Sequence, residues 1–390
     1  MTNTETRRIC FFGTYEKNYL RNRTLIEGLR YSGWQVFECH VPLWEKERNK
    51  TGKYLNLPSL IIQAFQLIIA YIKLIYKYIF KIGKYDIMIV GYIGHLDIPL
   101  AWLLTRLSRR PLVFSPLISL YDTLVCDRSS FREGSLMSLF LRWLDRWACA
   151  RSDLVLLDTN AHINYFSDTF NLNKHKLARV FVGAIEPDIS SYQPNWGHLK
   201  GRKFRIVSIG KFTPLHGLPY MLEAAQQLNH LSEISFHFIG SGQLVNQIIK
   251  KAQSLALTNV HFPGWISYNL IPNYINHAHV CLGIFGMSNK SSRVIPGKVF
   301  EALSMGKAVI TGDSPAMREL LIDGENVILC PRGDPKTLAK KILQLYQDHD
   351  VLRKVARGGY QVFYQKTTPE KIGITASQAL EKLLIKSPII

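Results

Sequence analysis

The stretch SSRVIPGKVFEALSMGKAVI, residues 291–310, carries the most structural instruction in the chain. Pro296 suits the first turn of a helix, where its missing N–H costs nothing. The pattern predicts a helix over 296–305, closed by Gly306, and a strand over 308–311. Gly297 lets backbone N–H groups meet a ligand at the helix start. Glu301 lies one turn in, near the same end. A carboxylate there can accept two hydrogen bonds from a vicinal diol such as ribose. A solvent-facing helix glutamate accounts for Glu301 alone equally well.

The same alternation runs outward from this stretch. Strands are expected at 204–210, 235–239 and 279–284, with a short one near His261. Helices are expected at 218–228 and 337–348. Further upstream, strands at 8–13, 35–41, 86–91, 112–115, 154–157 and 179–182 alternate with helices at 22–32, 98–107 and 136–150. Such a rhythm predicts parallel sheets covered on both faces. The Pro- and Gly-containing run 186–203 reads as a linker. It divides the 390 residues into two doubly wound α/β domains, 1–190 and 191–365. A C-terminal helix within 366–390 crosses back onto the first domain. Each domain should take ligand at the carboxyl ends of its strands.

Two strand-to-helix loops add to the first motif. Gly210-Lys211-Phe212-Thr213-Pro214-Leu215-His216-Gly217 ends a strand and opens a helix, whose free N–H groups and dipole suit phosphate. Lys211 and His216 bring cationic or donor groups to the same mouth. An ordinary βα loop explains them as well. Gly240-Ser241-Gly242 needs close backbone approach, but it lacks the third glycine and acidic partner of a dinucleotide fingerprint, so a plain tight turn is the better account of it alone.

Taken in order, Gly210 to Gly217, Gly240-Ser241-Gly242, Phe262-Pro263-Gly264-Trp265 and Glu301-Ala302-Leu303-Ser304-Met305-Gly306 resemble the nucleotide-sugar site of the family 4 retaining glycosyltransferases. The subgroup with a P-x-K-x-x-E pattern is nearer, matching Pro296, Lys298 and Glu301. The resemblance is strong over 200–350 and extends to 7–190 by layout only. It implies the GT-B fold, in which two Rossmann-like domains face across a cleft. It also implies retaining, metal-independent transfer of a hexose from a nucleotide diphosphate sugar, with no further cofactor. By the same resemblance Lys211 neutralises the donor diphosphate, and His216 stands in the place of a second basic residue. Gly240 and Gly242 form the G-x-G turn. Gly297 and Lys298 meet phosphate or sugar, and Glu301 binds the ribose hydroxyls. Gly13 belongs to the N-terminal loop that approaches donor and acceptor. Two departures stand out. Arg293 occupies the position of the family's other glutamate. The family's N-terminal histidine has no counterpart in Ser119-Leu120-Tyr121-Asp122-Thr123, where Asp122 is the substitute catalytic candidate.

Other features narrow the field. Asp348-His349-Asp350 spells a metal-binding D-x-D but lies between two helices, so capping is the better reading. Asp97 is likewise expected to cap the helix after it, with His95 nearby. The six cysteines form no C-x-x-C pair, and a disulfide scaffold is not expected at this size. Residues 60–80 are almost wholly apolar, with Gln63, Gln66, Lys73, Lys77 and Lys81 forming a narrow polar stripe. The two internal lysines, and the sheet that a bilayer would split, disfavour a spanning helix. A buried core helix is the leading reading, and an interfacial helix with snorkelling lysines the next. The net charge of 48 − 29 = +19 favours anionic partners. Nucleic acid is not expected, because no reading motif is present. The N-terminal residues show no signal peptide, so the expected location is cytoplasmic, peripheral on the inner face of the plasma membrane. The acceptor is then a glycan or a lipid-linked glycan in cell-surface polysaccharide or glycolipid synthesis. A non-catalytic nucleotide-sugar-binding or scaffolding protein of the same fold is the competing class.

Overall fold

The run Ile9-Cys10-Phe11-Phe12 is apolar at every position, so its strand must be covered on both faces. In the computed structural model, which describes residues 7–43, 57–186 and 203–386, this run forms β1 (Arg8–Gly13). It is joined by β2 (Gln35–His40), β3 (Ile87–Val90), β4 (Leu112–Phe114), β5 (Leu154–Leu157) and β6 (Leu177–Arg179). They pair in the order β2-β1-β3-β4-β5-β6, every pair parallel. The intervening helices are α1 (Leu20–Tyr31), α2 (Leu57–Lys81), α3 (Ile98–Ser108), α4 (Leu136–Arg151) and α5 (Asn160–Phe170).

A second sheet follows. Its strands are β7 (Phe204–Ile209), β8 (Ile234–Ile239), β9 (Val260–Gly264), β10 (Val280–Leu282), β11 (Ala308–Gly312) and β12 (Ile328–Cys330). The order is β12-β11-β10-β7-β8-β9, again all parallel. Around it run α6 (Leu218–Gln227), α7 (Val245–Ser254), α8 (Ile271–Asn276), α9 (Gly297–Ser304), α10 (Pro315–Arg318), α11 (Pro335–Gln347) and α12 (His349–Val362), and the chain closes with α13 (Pro369–Lys386). The residues up to Gly183, with those from Thr368 onward, form one compact unit, and 184–367 form the other. Strand order reverses between β1 and β3 in the first unit and between β7 and β10 in the second. Open α/β sheets bind ligands at such points.

The first sheet is covered on one face by α2 to α5, through Leu74, Ile98, Ala101, Ala148 and Phe166. Its other face is covered by α1 and α13, through Leu25, Leu29, Ile372, Ala376 and Leu380. The two helices cross at Gly28 and Gly373, and a Cβ on either would collide with backbone of the other. Trp34 Nε1 donates to Ser377 Oγ at 2.8 Å beside the crossing.

Most expected elements form near their predicted bounds. The strand expected at 179–182 lies instead at Leu177–Arg179, the helix expected to follow Gly240–Gly242 is α7, and α5, α8, α10, α12 and β12 were not anticipated. Most of the 186–203 linker falls outside the described residues. The leading reading of 60–80 as a buried core helix is corrected. Ala70 and Leu74 are buried against the sheet, while the rest of Ile62–Lys81 is largely exposed, with only 11% of that window buried. Lys77 does not lie in a solvent stripe either, because its Nζ donates to the His40 carbonyl at 2.6 Å.

The glycine crossing yields a stability prediction. Gly373→Leu should force α13 off α1 and lower the unfolding free energy by about 1–3 kcal/mol, measured by urea denaturation. A surface control, Gly324→Ala, has open space around its Cβ. It should lose only what its positive φ costs.

Candidate functional site

The carboxyl ends of β7, β8 and β10 meet through glycines. Gly210 follows β7 with φ 141°, and Gly240 follows β8 with φ 142°. A Cβ at Gly240 would collide with the Gly210 carbonyl oxygen, and one at Gly242 would sit 2.7 Å from the Phe212 nitrogen. Backbone hydrogen bonds lock the loops: Phe212 N–H donates to Ser241 O at 3.0 Å, Leu244 N–H to Phe212 O at 2.9 Å, and Gly240 N–H to Gly264 O at 2.8 Å. Gly240 and Gly242 are therefore required by loop packing. A turn at Pro214–His216 then leads through Gly217, φ 68°, into α6. A Cβ at Gly217 would sit 2.5 Å from the Gly286 nitrogen, so the loop after β10 closes against the same mouth.

The side chains at this mouth are cationic and polar. Lys211 is exposed. His216 is nearly buried, with its Nδ1 3.3 Å from Thr213 Oγ1. Its ring and the Lys298 side chain both flank Gly210, each 3.4 Å from where a Cβ would stand. Lys298 is the second residue of α9, and its Nζ donates to Gly283 O at 3.3 Å and Ser208 Oγ at 3.4 Å, at the ends of β10 and β7. These long bonds leave the ammonium incompletely solvated, and its crowded setting pushes its pKa down to about 7, against a smaller opposing pull from Glu301. Burial likewise raises the Glu301 carboxyl, outweighing the Tyr268 hydrogen bond and the Lys298 charge that favour the anion. Tyr268 Oη donates to Glu301 Oε1 at 2.8 Å. Pro296 is the N-cap of α9 rather than its first residue, so Gly297 and Lys298 present amides without partners inside the helix.

The structure thus assembles Lys211, His216, Gly240, Gly242, Gly297, Lys298 and Glu301 on the second unit. Gly13 and Asp122 belong to the first. At Gly13, φ 126°, the space a Cβ would need is taken by the Asp97 carboxylate. Asp97 accepts from Thr14 N at 2.7 Å and from Thr14 Oγ1 at 3.0 Å, and makes no cap to α3. The expected capping role for Asp97 is overturned: its carboxylate fastens the end of β1 to the turn after β3. Asp122 is buried, and its N–H donates to Ser119 Oγ at 2.9 Å. Ser119 in turn donates to Asp145 at 2.6 Å, and His95 Nε2 lies 3.3 Å from the other Asp145 oxygen. Asp348 does cap, accepting from the Asp350 and Val351 amides at 3.0 Å. Arg293 closes the turn Asn289–Ser292. Among the described residues no group of three His, Cys, Asp or Glu could hold a metal ion. Sequence reasoning missed Tyr268, Ser208 and Arg332. Arg332 donates to Ser291 Oγ at 2.6 Å and to Ser288 O at 3.1 Å, and so holds the loop after β10. No motif marks these three. Tyr268 follows the Phe262–Trp265 segment by three residues, which is the nearest available signal.

Comparison with known proteins bears on the fold. Residues 203–348, all within the second unit, match the family model described as Glycosyl transferases group 1. An uncharacterized glycosyltransferase of Methanocaldococcus jannaschii is 22% identical over 249 residues, 62% of this chain and 63% of that protein. The chain therefore spans somewhat under two thirds of that relative's length. Crystal structures of HepE from Anabaena, in complex with UDP or UDP-glucose, are similar at 14% and 15% identity with TM-scores of 0.69 and 0.68. Both cover 96% of this chain, and this chain covers 100% and 99% of theirs. Sucrose-phosphate synthase from Thermosynechococcus elongatus is similar at 15% identity, covering 97% of this chain and 100% of its own, with a TM-score of 0.71. The fold is that of the GT-B glycosyltransferases.

The depressed Lys298 pKa gives a pH prediction. An anionic diphosphate beside this ammonium would favour its charged form, so binding should take up a proton. Affinity for inorganic pyrophosphate, taken as a diphosphate probe, is expected to be greatest below about pH 7 and to weaken several-fold as pH rises through the free-protein pKa. Calorimetry in two buffers of different ionisation heat measures the uptake. Lys298→Met should remove both the uptake and the pH dependence.

Proposed function

We propose that the chain transfers a hexose from a nucleotide diphosphate sugar to a hydroxyl of a glycan or lipid-linked glycan, with retention at the anomeric carbon. The observation that supports this best is the convergence of Lys298, His216 and the α9 N-terminus at the point where strand order reverses in the second unit. The UDP and UDP-glucose held by the similar HepE structures support a nucleotide-linked donor. The leaving nucleoside diphosphate needs its growing charge stabilised. Lys211, the Lys298 ammonium and the first amides of α9 supply that as a fixed electrostatic environment, without a metal. Glu301, oriented by Tyr268, accepts hydrogen bonds from the ribose diol. An oxocarbenium-like centre forms as the bond to the leaving group breaks, and the acceptor hydroxyl attacks from the same side, passing its proton to the departing diphosphate oxygen. Work at the cytoplasmic face of the membrane, in polysaccharide or glycolipid synthesis, fits the basic character of the chain.

Glu301→Gln should weaken UDP-glucose binding by roughly tenfold, as expected for losing a charged hydrogen-bonding partner, with the unfolding midpoint unchanged. Wild-type affinity in that variant would remove the ribose assignment. A panel of nucleotide sugars scored by thermal shift identifies the donor, and NMR of the product reads the anomeric outcome. Turnover should persist undiminished in excess chelator. Donor binding with no turnover on any acceptor, and no slow hydrolysis, would favour the non-catalytic binding protein instead.

A further inference from the structure

We propose that the outward faces of α2 and α3 dock the chain flat on an anionic lipid surface, as a monotopic protein and not a spanning one. The docking stands independently of the sugar-transfer reading; only the supply of a lipid-linked acceptor at that surface rests on it.

The helix α2 holds a window, Ile62–Lys81, long and apolar enough to cross a bilayer. Its outward row is a straight ridge: Phe65, Ile72 and Ile79 follow one another every two turns, and each is about three-fifths exposed, at 63%, 62% and 61%. Its inner row is clasped to the sheet. Leu74 and Ala70 pack with Cys39 and Val41 in one core cluster, Tyr71 Oη donates to the Leu96 carbonyl, and Lys77 donates to His40 O. A spanning helix would have to release all of these and uncover the sheet. Lying flat keeps them and buries the ridge.

The surface continues on α3, where Leu107 is 75% exposed and Leu103 half exposed. A hydrogen-bond chain from Tyr78 through Tyr85 to Ser108 joins the two helices on the same side of the sheet. Charge names the occupant. The helix α2 carries Lys73, Lys77 and Lys81, α3 carries Arg106, and α4 carries Arg142, Arg146 and Arg151. The sole carboxylate on these three helices is Asp145, which is buried. A second copy would bring the same positive charges to the contact, within a chain of net charge +19. An anionic bilayer accepts the apolar ridge and neutralises Lys73 and Lys81, whose stems can lie along the ridge.

The full chain is sedimented with vesicles of phosphatidylcholine alone, or with phosphatidylglycerol added. Binding to the anionic vesicles is expected. It should fall roughly fivefold for each charge removed in Lys73→Gln and Lys81→Gln, and at least about tenfold in the double variant Phe65→Ser, Ile72→Asp. Circular dichroism checks that the double variant folds; if it does not, the two lysine variants carry the test alone. No binding to either vesicle, equal binding to both, or resistance to alkaline carbonate extraction would overturn the proposal. So would a solution dimer that the double variant dissolves. UDP-glucose binding should survive in every variant. Its absence from the parent chain would count against the sugar-transfer reading and leave the docking intact.

Discussion

The candidate site depends on a steric constraint in the backbone. Where β7 and β8 end, the loops pass so closely that neither a methyl group at Gly240 nor one at Gly242 has room. That closeness lets Phe212, Ser241, Leu244, Gly240 and Gly264 exchange backbone hydrogen bonds on either side of Lys211. The same economy recurs where Gly217 meets Gly286. A mouth assembled from main-chain contacts has few rotamers to freeze, so its polar groups need little reorganisation when a charged ligand arrives.

Electrostatics add a second layer. An ammonium held near neutral pKa by crowding is costly to the free protein. Burial holds Lys298 that way, and its bonds to Ser208 and Gly283 are too long to offset it. Glu301 shows the mirror effect, its carboxyl raised by burial while Tyr268 offers partial compensation. Two groups each short of their preferred environment, one turn apart on α9, describe a site poised for a ligand that supplies the missing partner.

The layout was legible because the strands are apolar at almost every position and the helices are bounded by Gly and Pro. Strands β1 and β5 needed nothing more. What escaped was decided by contacts distant in sequence. Asp97 reads locally as a cap, yet Thr14, 83 residues away, claims its carboxylate. Gly358 and Gly359 argue against a helix at 349–362, but they are there because Glu325, Asn326 and Leu303 press on α12. Exposure on α2 was beyond reach for a different reason: a segment apolar on most sides carries no record of which side is covered. Within the site, Lys211, His216, Lys298 and Glu301 were readable from motif spacing, whereas Tyr268 and Arg332 act through geometry that no short pattern encodes.

The return of α13 to the first unit has a consequence for biogenesis. Ile372, Ala376 and Leu380 complete the layer over Ile9, Phe11 and Ile89, yet they are translated after the whole of the second unit. During synthesis the earlier sheet must therefore wait with one greasy side covered by α1 alone while the later one matures. A nascent chain of this kind is exposed to aggregation for the time needed to make almost two hundred further residues, and its dependence on chaperones should be set by that delay.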